Sequence, residues 1–297
     1  MFDLPLPTAV VCHDAGAANV IIAAIREELA GATATGRFLP VMQGPAVHIW
    51  ESSDIRPAAL FTLEQALPLA SSLLSGTGWA SDLEHEARMR AQELILPSAA
   101  LIDHWVNYNA RFERAGNIVL PDTILVSDSD ALAIATRTFP GVALRQIPNL
   151  YLQRELSAIA AGASPVPGRI LYVLEPLRYS WPGASQAAEF DALDYLLANL
   201  DRLGNRSDWS IRLRPHPSDP ARKYDKWLAK QQYPDITLDN SPSLAAAIGP
   251  SEWVAGCETT ALVIALMAGR KAVSTLPPAA PLCRLPQTGL LHLHRLR

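Results

Sequence analysis

Hydrophobic and polar residues form alternating blocks along this chain. Short apolar runs such as residues 8–12 are followed by longer segments, such as residues 19–29, in which apolar residues recur every three or four positions. The short runs indicate buried strands and the periodic segments indicate amphipathic helices. Because strand and helix alternate, the pattern predicts parallel sheets joined by right-handed crossovers.

The alternation occurs on both sides of a Pro/Gly/Ser-rich segment, residues 162–168, which has the composition of a linker. In the first half we predict strands at residues 8–12, 37–42, 58–61, 73–76, 99–102, 123–126 and 142–147, and helices at 19–29, 82–94, 105–112 and 151–161. Asp82, Glu84 and Glu86 are interpreted as charges that favour the start of the helix at 82–94, and Asp128 as the cap of a helix that follows the strand at 123–126. In the second half we predict strands at residues 169–174, 210–214, 236–238, 253–255 and 272–274, and helices at 187–203, 224–231, 243–247 and 259–268. The predicted fold class is α/β, with two Rossmann-like domains, residues 1–162 and 163–297, facing an interdomain cleft.

Composition narrows the class of protein. The chain has 297 residues, of which 49% are hydrophobic and 18% are charged, and this excludes a disordered protein. The net charge of -4 argues against nucleic acid as a partner, since such proteins usually carry a basic excess. The three cysteines show no CxxC spacing and the histidines show no HExxH pattern, so no metal is predicted.

Targeting signals are not evident in the sequence. The first residues lack the basic and apolar regions of a signal peptide, and no apolar run reaches the length of a membrane span. We therefore expect a cytoplasmic protein. The basic residues Arg295 and Arg297 at the end of the chain could still make a peripheral contact with a membrane.

One candidate phosphate contact follows the strand at residues 210–214. It consists of Arg214, Pro215, His216 and Pro217. Because the two prolines stiffen the backbone around the histidine, the imidazole loses little conformational freedom when it binds a ligand. His216 could then neutralise or protonate a phosphate oxygen as a nucleotide leaves. The alternative is an ordinary turn with a surface histidine.

A second candidate lies where the strand at residues 253–255 ends, and we expect this strand to be a neighbour of the strand at residues 210–214 in the sheet. Gly256 is followed by Glu258, and Thr259 and Thr260 then open an apolar helix. Free amides and the positive end of a helix form an anion site, so these threonines could hold a phosphate. The alternative is a capped helix without a ligand. Glu258 would repel a phosphate and fits ribose hydroxyls or a cation better.

The segment after the first strand is rich in small residues and carries two groups for acid–base chemistry. Asp14 could act as a general base for an acceptor hydroxyl, and His13 is the rival for this role. Gly16 and the following small residues, up to Asn19, let a ligand approach the backbone closely. The alternative is a plain strand-to-helix turn.

Three further segments of the chain carry candidate groups. Gly78 and Trp79 could form a loop and a stacking surface for a sugar, and Asp82 could be a base or only a helix-end charge. Asp103 beside a histidine could form an acid–base pair, although core packing also explains that segment. Glu175 follows the first strand of the second half and could be a base or a ribose contact.

Together, His216-Pro217 and Thr259-Thr260 resemble the His-Pro and Ser/Thr motifs of GT-B glycosyltransferases, especially bacterial enzymes that use CMP-activated sialic acid or Kdo. The resemblance is best over residues 169–275. It implies that His216 contacts the CMP phosphate and assists its departure, that the two threonines hold that phosphate, and that Glu175 and Arg214 lie nearby. Glycerophosphotransferases that use CDP-glycerol share a similar pattern.

The implied function is the transfer of a sugar, such as a nonulosonic acid, from a CMP-sugar co-substrate to a hydroxyl of a glycan, lipid-linked or protein acceptor. No other cofactor is expected. The Asp/Glu-Asp/Glu-Gly sequence that supplies the base in these families is absent, so the base stays open among Asp14, Asp82 and Asp103. The rival hypotheses are a UDP-sugar 2-epimerase of the same fold and a catalytically inactive GT-B-like binding subunit.

Overall fold

The computed structural model describes residues 1–56, 59–79, 81–177, 181–183, 186–231 and 235–297. It divides into two compact units, Met1–Tyr151 and Leu152–Arg297. Within the described residues, each unit contains a parallel sheet of six strands. The predicted division at residues 162 and 163 falls just after a helix, Leu150–Ala161, that lies almost wholly in the second unit. The predicted α/β class with two Rossmann-like units is confirmed.

The first unit is built around a sheet whose central strands are buried on both faces. Its elements are β1 (Thr8–Cys12), α1 (Ala15–Leu29), β2 (Phe38–Met42), α2 (Pro45–Glu51), α3 (Leu63–Ala66), β3 (Ser72–Ser75), α4 (Leu83–Glu93), β4 (Ser98–Leu101), β5 (Glu113–Arg114), β6 (Asn117–Ile118), β7 (Thr123–Val126), α5 (Ser129–Thr138) and β8 (Ala143–Gln146). The strand order is β2-β1-β3-β4-β7-β8, and β5 and β6 form a separate antiparallel hairpin. All five residues of β1 are buried, as expected for a parallel strand covered by helices on both faces.

The second unit repeats the architecture with a different strand order. Its elements are α6 (Leu150–Ala161), β9 (Val166–Val173), α7 (Ala188–Leu197), β10 (Ser210–Arg214), α8 (Asp225–Leu228), β11 (Ile236–Leu238), α9 (Leu244–Ile248), β12 (Ser251–Gly256), α10 (Thr260–Met267), β13 (Lys271–Ser274) and β14 (Leu291–His292). The strand order is β11-β10-β9-β12-β13-β14. Counted within the unit, this is the 3-2-1-4-5-6 order of dinucleotide-binding folds.

The hydrophobic cores lie on the sheets and leave the carboxyl ends of the strands for polar residues. In the first unit one core packs Ile21, Ile25 and Trp50 against one part of the sheet, and another gathers around Leu73. In the second unit the main core includes Trp209. Because the strands of each sheet are parallel, all their carboxyl ends meet at one edge, and ligands of open α/β sheets bind there.

Several predicted elements are wrong or misplaced. Residues 59–61 form no strand, and Ala58 lies outside the described residues. The helix predicted at residues 105–112 is instead a loop with one short 3-10 turn, Asn109–Arg111, because Asn107 takes a left-handed conformation (φ 62°) that interrupts a helix. The helix predicted at residues 187–203 ends at Leu197.

Other boundaries shift without changing the topology. α1 begins at Ala15 rather than Asn19, and the helix predicted at residues 224–231 is limited to Asp225–Leu228. α2, α3 and β14 were not predicted. Asp128 caps α5, as expected from its position, and its Oδ1 accepts the Ala131 N–H at 2.7 Å.

In the part of the chain that the structure describes, no helix is long and apolar enough to cross a membrane.

Candidate functional site

Polar side chains gather at the point of the first sheet where the strand order reverses. β1 pairs with β2 on one side and with β3 on the other, so the crevice for a ligand lies beyond the ends of β1 and β3. His13 and Asp14 directly follow β1, and Gly76 and Gly78 follow β3. Four of the residues predicted for this unit, His13, Asp14, Gly16 and Gly78, therefore lie close to this crevice.

Glycines in this region make room for carboxylates of the protein itself. A methyl group on Gly78 would lie 2.4 Å from Asp14 Oδ2. A methyl group on Gly16 would lie 1.9 Å from Asp103 Oδ2. Any side chain at these positions would therefore displace a carboxylate. We expected small residues here to let a ligand approach the backbone. Instead, Asp14 lies against Gly78, and Asp103 lies against Gly16.

Glu84 lies at the centre of this cluster, although it was predicted only as a charge at the start of a helix. It is 0% exposed, and its Oε1 accepts the N–H of His13 at 3.0 Å. Its Oε2 has no hydrogen-bond partner among the described residues. Burial raises the pKa of Glu84 to about 7, and the nearby charge of Asp14 acts in the same direction.

A signal for Glu84 exists in the sequence. Residues three, four and seven positions apart share one face of a helix, and Glu84 shares its face with Ala87 and Ala91, both fully buried. A carboxylate on the apolar stripe of a helix is unusual, because a buried charge needs a compensating partner. Arg88, one turn further on, is also buried on this face.

The three candidate bases now differ clearly. The Asp14 side chain is 33% exposed and its Oδ1 bonds His13 Nδ1 at 2.7 Å. Asp103 is paired with Arg111, whose Nη1 donates to Asp103 Oδ1 at 2.9 Å. Asp82 is 83% exposed and accepts from Arg114. Asp14 is thus the carboxylate that lies at the crevice, reaches solvent and has no arginine partner among the described residues.

Two other predicted residues lie in the same unit. Trp79 directly follows Gly78, its indole is 37% exposed, and the Arg111 guanidinium carbon lies 5.9 Å from its ring centre. Asn19 is half-buried in α1. Trp79 therefore lies next to the carboxylate cluster, because Asp14 and Glu84 lie against the preceding residue, Gly78.

In the second unit, Asp219 holds the turn after β10. This residue was not among the predicted site residues. Asp219 Oδ2 accepts the N–H of His216 at 2.9 Å and the hydroxyl of Tyr224 at 2.8 Å. Asp219 Oδ1 accepts from Lys223 at 2.7 Å, and Lys223 also pairs with Glu189. These bonds fix the turn that carries His216, in addition to its two prolines. An aspartate three residues after the histidine, in a short turn, is the sequence signal for it.

Ser218 holds the His216 ring through its Nδ1 atom. The backbone N–H of Ser218 donates to His216 Nδ1 at 3.1 Å, and the Ser218 hydroxyl lies 2.7 Å from the same nitrogen. In the tautomer in which Nδ1 accepts, the neutral ring carries its proton on Nε2. Arg214, predicted to lie nearby, bonds Asp239 and the carbonyl of Ser241, and Pro217 is exposed.

The strand order of the second sheet corrects one expectation. β10 and β12, which carry His216 and Thr259 at their ends, are not neighbours, because β9 lies between them and pairs with both. Strands lie about 4.8 Å apart, so the two strand ends are separated by roughly 10 Å. The strand order reverses between β9 and β12, which puts Glu175, at the end of β9, at the crevice.

Glu175 already occupies part of the predicted anion site. Its Oε1 accepts the N–H groups of Cys257 at 2.7 Å and Glu258 at 2.8 Å, just ahead of α10. Burial raises the pKa of Glu175 to about 7, although these amides act in the opposite direction. Two backbone amides that directly precede the predicted phosphate-binding helix start thus bind a carboxyl group of the protein.

The remaining predicted residues of this site have structural partners as well. Thr259 caps α10 by accepting the N–H of Ala261 at 3.3 Å, and Thr260 is the first residue of that helix. Glu258 is buried and pairs with Arg284, whose Nη2 lies 2.6 Å from Glu258 Oε2. A methyl group on Gly256 would lie 3.0 Å from the carbonyl oxygen of Val173.

We expect Glu175→Gln to weaken the dependence of the free energy of unfolding on pH. The pKa of Glu175 is raised from the ordinary 4.5 to about 7, so between these values the folded chain holds a proton that the unfolded chain has lost. The free energy of unfolding therefore falls as pH rises through this window, by roughly 3 kcal/mol. Urea unfolding at pH 4.5 and pH 7.5 should show this fall in the wild type and a smaller one in Glu175→Gln.

Glu252→Gln is the matched control, since Glu252 pairs with Lys271 and its pKa is lowered by that contact. This variant should keep the fall in stability between pH 4.5 and pH 7.5. Equal slopes for the wild type and Glu175→Gln would contradict the assignment of Glu175.

The described residues offer no obvious metal centre. Among them, no group of three or more His, Cys, Asp or Glu side chains is arranged to hold a metal ion. The carboxylates of Asp14, Glu84 and Asp103 instead bind the His13 ring, the His13 backbone amide and Arg111, respectively.

Comparison with solved structures identifies the fold. The chain resembles the UDP complex of S. aureus MnaA, with a TM-score of 0.59 and 10% identity over 90% of this chain and 78% of that one. The chain has a GT-B-like fold. It resembles equally the UDP-GlcNAc 2-epimerase of Neisseria meningitidis bound to UDP-GlcNAc, with a TM-score of 0.59 and 10% identity over 90% of this chain and 82% of the other.

A third GT-B-like match is the UDP-GlcNAc 2-epimerase of Methanocaldococcus jannaschii, with a TM-score of 0.55 and 8% identity over 90% of this chain and 83% of that one. No protein-family model and no curated protein sequence matches the chain. At such low identity the likeness extends to the fold only.

Proposed function

We propose that this chain is an enzyme that acts on a nucleotide-activated sugar, as a glycosyltransferase with a CMP-linked donor. The observation that carries the proposal is the Asp14 carboxylate, partly exposed at the crevice of the first unit, bonded to His13 and backed by the buried Glu84. In the proposed mechanism, His216 at the end of β10 and the hydroxyl groups of Thr259 and Thr260 at the start of α10 donate to phosphate oxygens of the nucleotide. The resemblance of these two motifs to CMP-sugar enzymes favours cytidine.

The chemistry is a direct displacement at the anomeric carbon. Asp14 takes the proton of the acceptor hydroxyl as the oxygen of that hydroxyl bonds to the anomeric carbon. The bond from that carbon to the phosphate oxygen breaks, and its electron pair leaves with CMP. The Nε2–H of His216 stabilises the negative charge that develops on the departing phosphate. The transferred sugar in this proposal is a nonulosonic acid, and the donor is its CMP-linked form.

His216 acts in this scheme as a neutral donor, since Ser218 N–H occupies Nδ1. We expect His216→Gln, which keeps an N–H near the position of Nε2, to retain more activity than His216→Ala. Removing a donor to a developing oxyanion costs about 10²–10³-fold in kcat. The measurement is kcat for CMP release. Equal loss in both variants would contradict the donor role, and a requirement for a protonated ring would show as activity that rises at low pH.

A 2-epimerase is the second candidate. It is favoured by the concentration of Asp14, Glu84 and Asp103 at one sheet edge, since epimerisation at C2 needs a proton removed from one face and returned to the other. It is also favoured by the likeness to structures described as UDP-GlcNAc 2-epimerases.

One pair of incubations separates the candidates. CMP-N-acetylneuraminate with lactose tests transfer, and UDP-GlcNAc alone in D₂O tests epimerisation, both followed by mass spectrometry. A transferase releases CMP and forms a sialylated lactose, with no deuterium entering UDP-GlcNAc. A 2-epimerase places one deuterium at C2 and leaves the CMP donor intact. Inertness toward both substrates, with a folded protein, would favour the binding-subunit hypothesis.

A further inference from the structure

The turn that carries His216 is closed by two reciprocal hydrogen bonds with Asp219. The Asp219 N–H donates to the carbonyl oxygen of His216 at 2.9 Å, and Asp219 Oδ2 accepts the N–H of His216 at 2.9 Å. Ser218, which lies between them in the chain, contacts the His216 ring at Nδ1. The backbone of His216 and its imidazole are therefore both held by the same turn, residues 216–219, which we call the histidine turn.

The Asp219 carboxylate does more than close this turn. Its side chain is 3% exposed, and an aspartate is rarely buried to this degree unless it is paired. Oδ1 accepts from Lys223 at 2.7 Å, and Oδ2 accepts the Tyr224 hydroxyl at 2.8 Å in addition to the His216 N–H. Burial acts to raise the pKa of Asp219, but the bonds from Lys223, Tyr224 and the His216 amide outweigh burial and lower it. The turn is therefore held by an ionised carboxylate, which accepts stronger hydrogen bonds than a neutral group does.

The contacts of Lys223 and Tyr224 tie the histidine turn to α7. Lys223 also pairs with Glu189 at 2.8 Å, and the Glu189 side chain is 8% exposed. The next residue on each side makes a second contact, since the ring centres of Tyr224 and Phe190 lie 5.4 Å apart. α7 follows β9 along the chain, whereas the histidine turn follows the paired strand β10. The turn is thus fixed against the helix that belongs to the neighbouring strand.

The buried charges of Asp219, Lys223 and Glu189 restrict geometry more than they add stability. All three groups give up water, so the net free energy that such a network contributes to folding is small. Moving any one of these charges would leave a buried partner unpaired, and that is strongly unfavourable. The network therefore holds the histidine turn in one arrangement more strictly than its prolines alone would.

We propose that Asp219 is a positioning residue for His216, and that Lys223 and Glu189 hold Asp219 in place. Asp219 bonds the backbone N–H of His216, so it acts through the position of the imidazole. The consequence for catalysis rests on the proposed function, in which His216 stabilises the departing phosphate. The positioning of the turn does not depend on that function.

The positioning can be measured without a substrate, through the ¹⁵N relaxation of backbone amides in the full chain. In the wild type we expect order parameters of about 0.85 for His216 and Ser218, as in rigid backbone, and values below about 0.6 in Asp219→Ala. Asp219→Asn should lie between the two, because its one carbonyl oxygen can replace only one of the two carboxylate oxygens. Asp225→Asn is the matched control, since Asp225 pairs with the exposed Arg222, and both amides should stay rigid in this variant.

A double-mutant cycle tests the consequence for catalysis. Where turnover of a nucleotide sugar is found, Asp219→Ala should lower kcat by about 10²-fold, the cost of a small misplacement of a catalytic group. In the His216→Ala background the same substitution should have little further effect, because the group that Asp219 positions is already gone. A merely structural role of Asp219 would lower kcat by the same factor in both backgrounds.

Rigid amides at His216 and Ser218 in Asp219→Ala, or mobile ones already in the wild type, would overturn the proposal, as would equal losses of kcat in the two backgrounds. Asp219→Asn has nearly the shape of aspartate, so its amides decide the test where Asp219→Ala fails to fold. Loosened amides in the variants without turnover of either nucleotide sugar leave the positioning role standing and remove the proposed function.

Discussion

Asp14→Asn is expected to lower kcat for nucleotide-sugar turnover by roughly 10²–10⁴-fold, the usual contribution of a general base. Asparagine has nearly the same shape as aspartate but cannot accept the proton of an acceptor hydroxyl. Asp14 is the candidate that combines a place at the crevice of the first sheet, a bond to His13 and access to solvent. The measurement is steady-state release of CMP or UDP from the donor that the protein turns over.

Two further measurements complete this experiment. KM for the donor should change little, because the nucleotide is held by the second unit in the proposed mechanism. Asp54→Asn is the control, since Asp54 is exposed and bonded to Arg26 on the surface of the same unit. Full activity of Asp14→Asn would eliminate Asp14 as the base and return the choice to Asp103.

Arg88→Met is expected to destabilise the first unit by about 3–5 kcal/mol, the range found when one partner of a buried charge network is removed. Arg88 is 1% exposed, and its guanidinium donates to Ser75 Oγ and to the carbonyl oxygens of Gly76, Val119 and Arg111. Methionine fills much of the same space but leaves these buried acceptors without donors. Urea unfolding gives the magnitude, and hydrogen exchange of the β3 amides assigns the loss to the first unit.

Arg90→Met provides a comparison on the same helix. Arg90 pairs with Glu64 and Glu86 on the surface, where water replaces a lost ion pair, so this variant should be almost as stable as the wild type. If Arg88→Met and Arg90→Met were equally stable, the buried guanidinium would not hold the loops around Gly76 together.

Local patterns in the chain predicted the parts of the site that depend on neighbours in sequence. Asp128 was expected to cap a helix and does so through the N–H of Ala131. The prolines around His216 predicted a turn after the strand, and the structure has a turn there. Both features depend on residues that are close to each other in the chain, so a single sequence is enough to predict them.

Contacts across the fold explain what was missed. Glu84 was interpreted as a helix-end charge, because acidic residues favour the first turn of any helix. Its burial depends on α4 packing against the ends of β1 and β3, where its Oε1 meets the His13 amide, 71 residues earlier in the chain. Glu175 was similarly expected to meet a ligand, but it bonds amides of Cys257 and Glu258, more than 80 residues away.

By itself, the sequence determined the α/β class, the two Rossmann-like units and the strand ends at which polar residues collect, because hydrophobic periodicity and turn residues act over short stretches of chain. Only the tertiary structure decided the strand order in each sheet. That order places β9 between β10 and β12, and brings Asp14 and Glu84 to one glycine. Strand order depends on which distant segments pack side by side, and the pattern along the chain does not encode that choice locally.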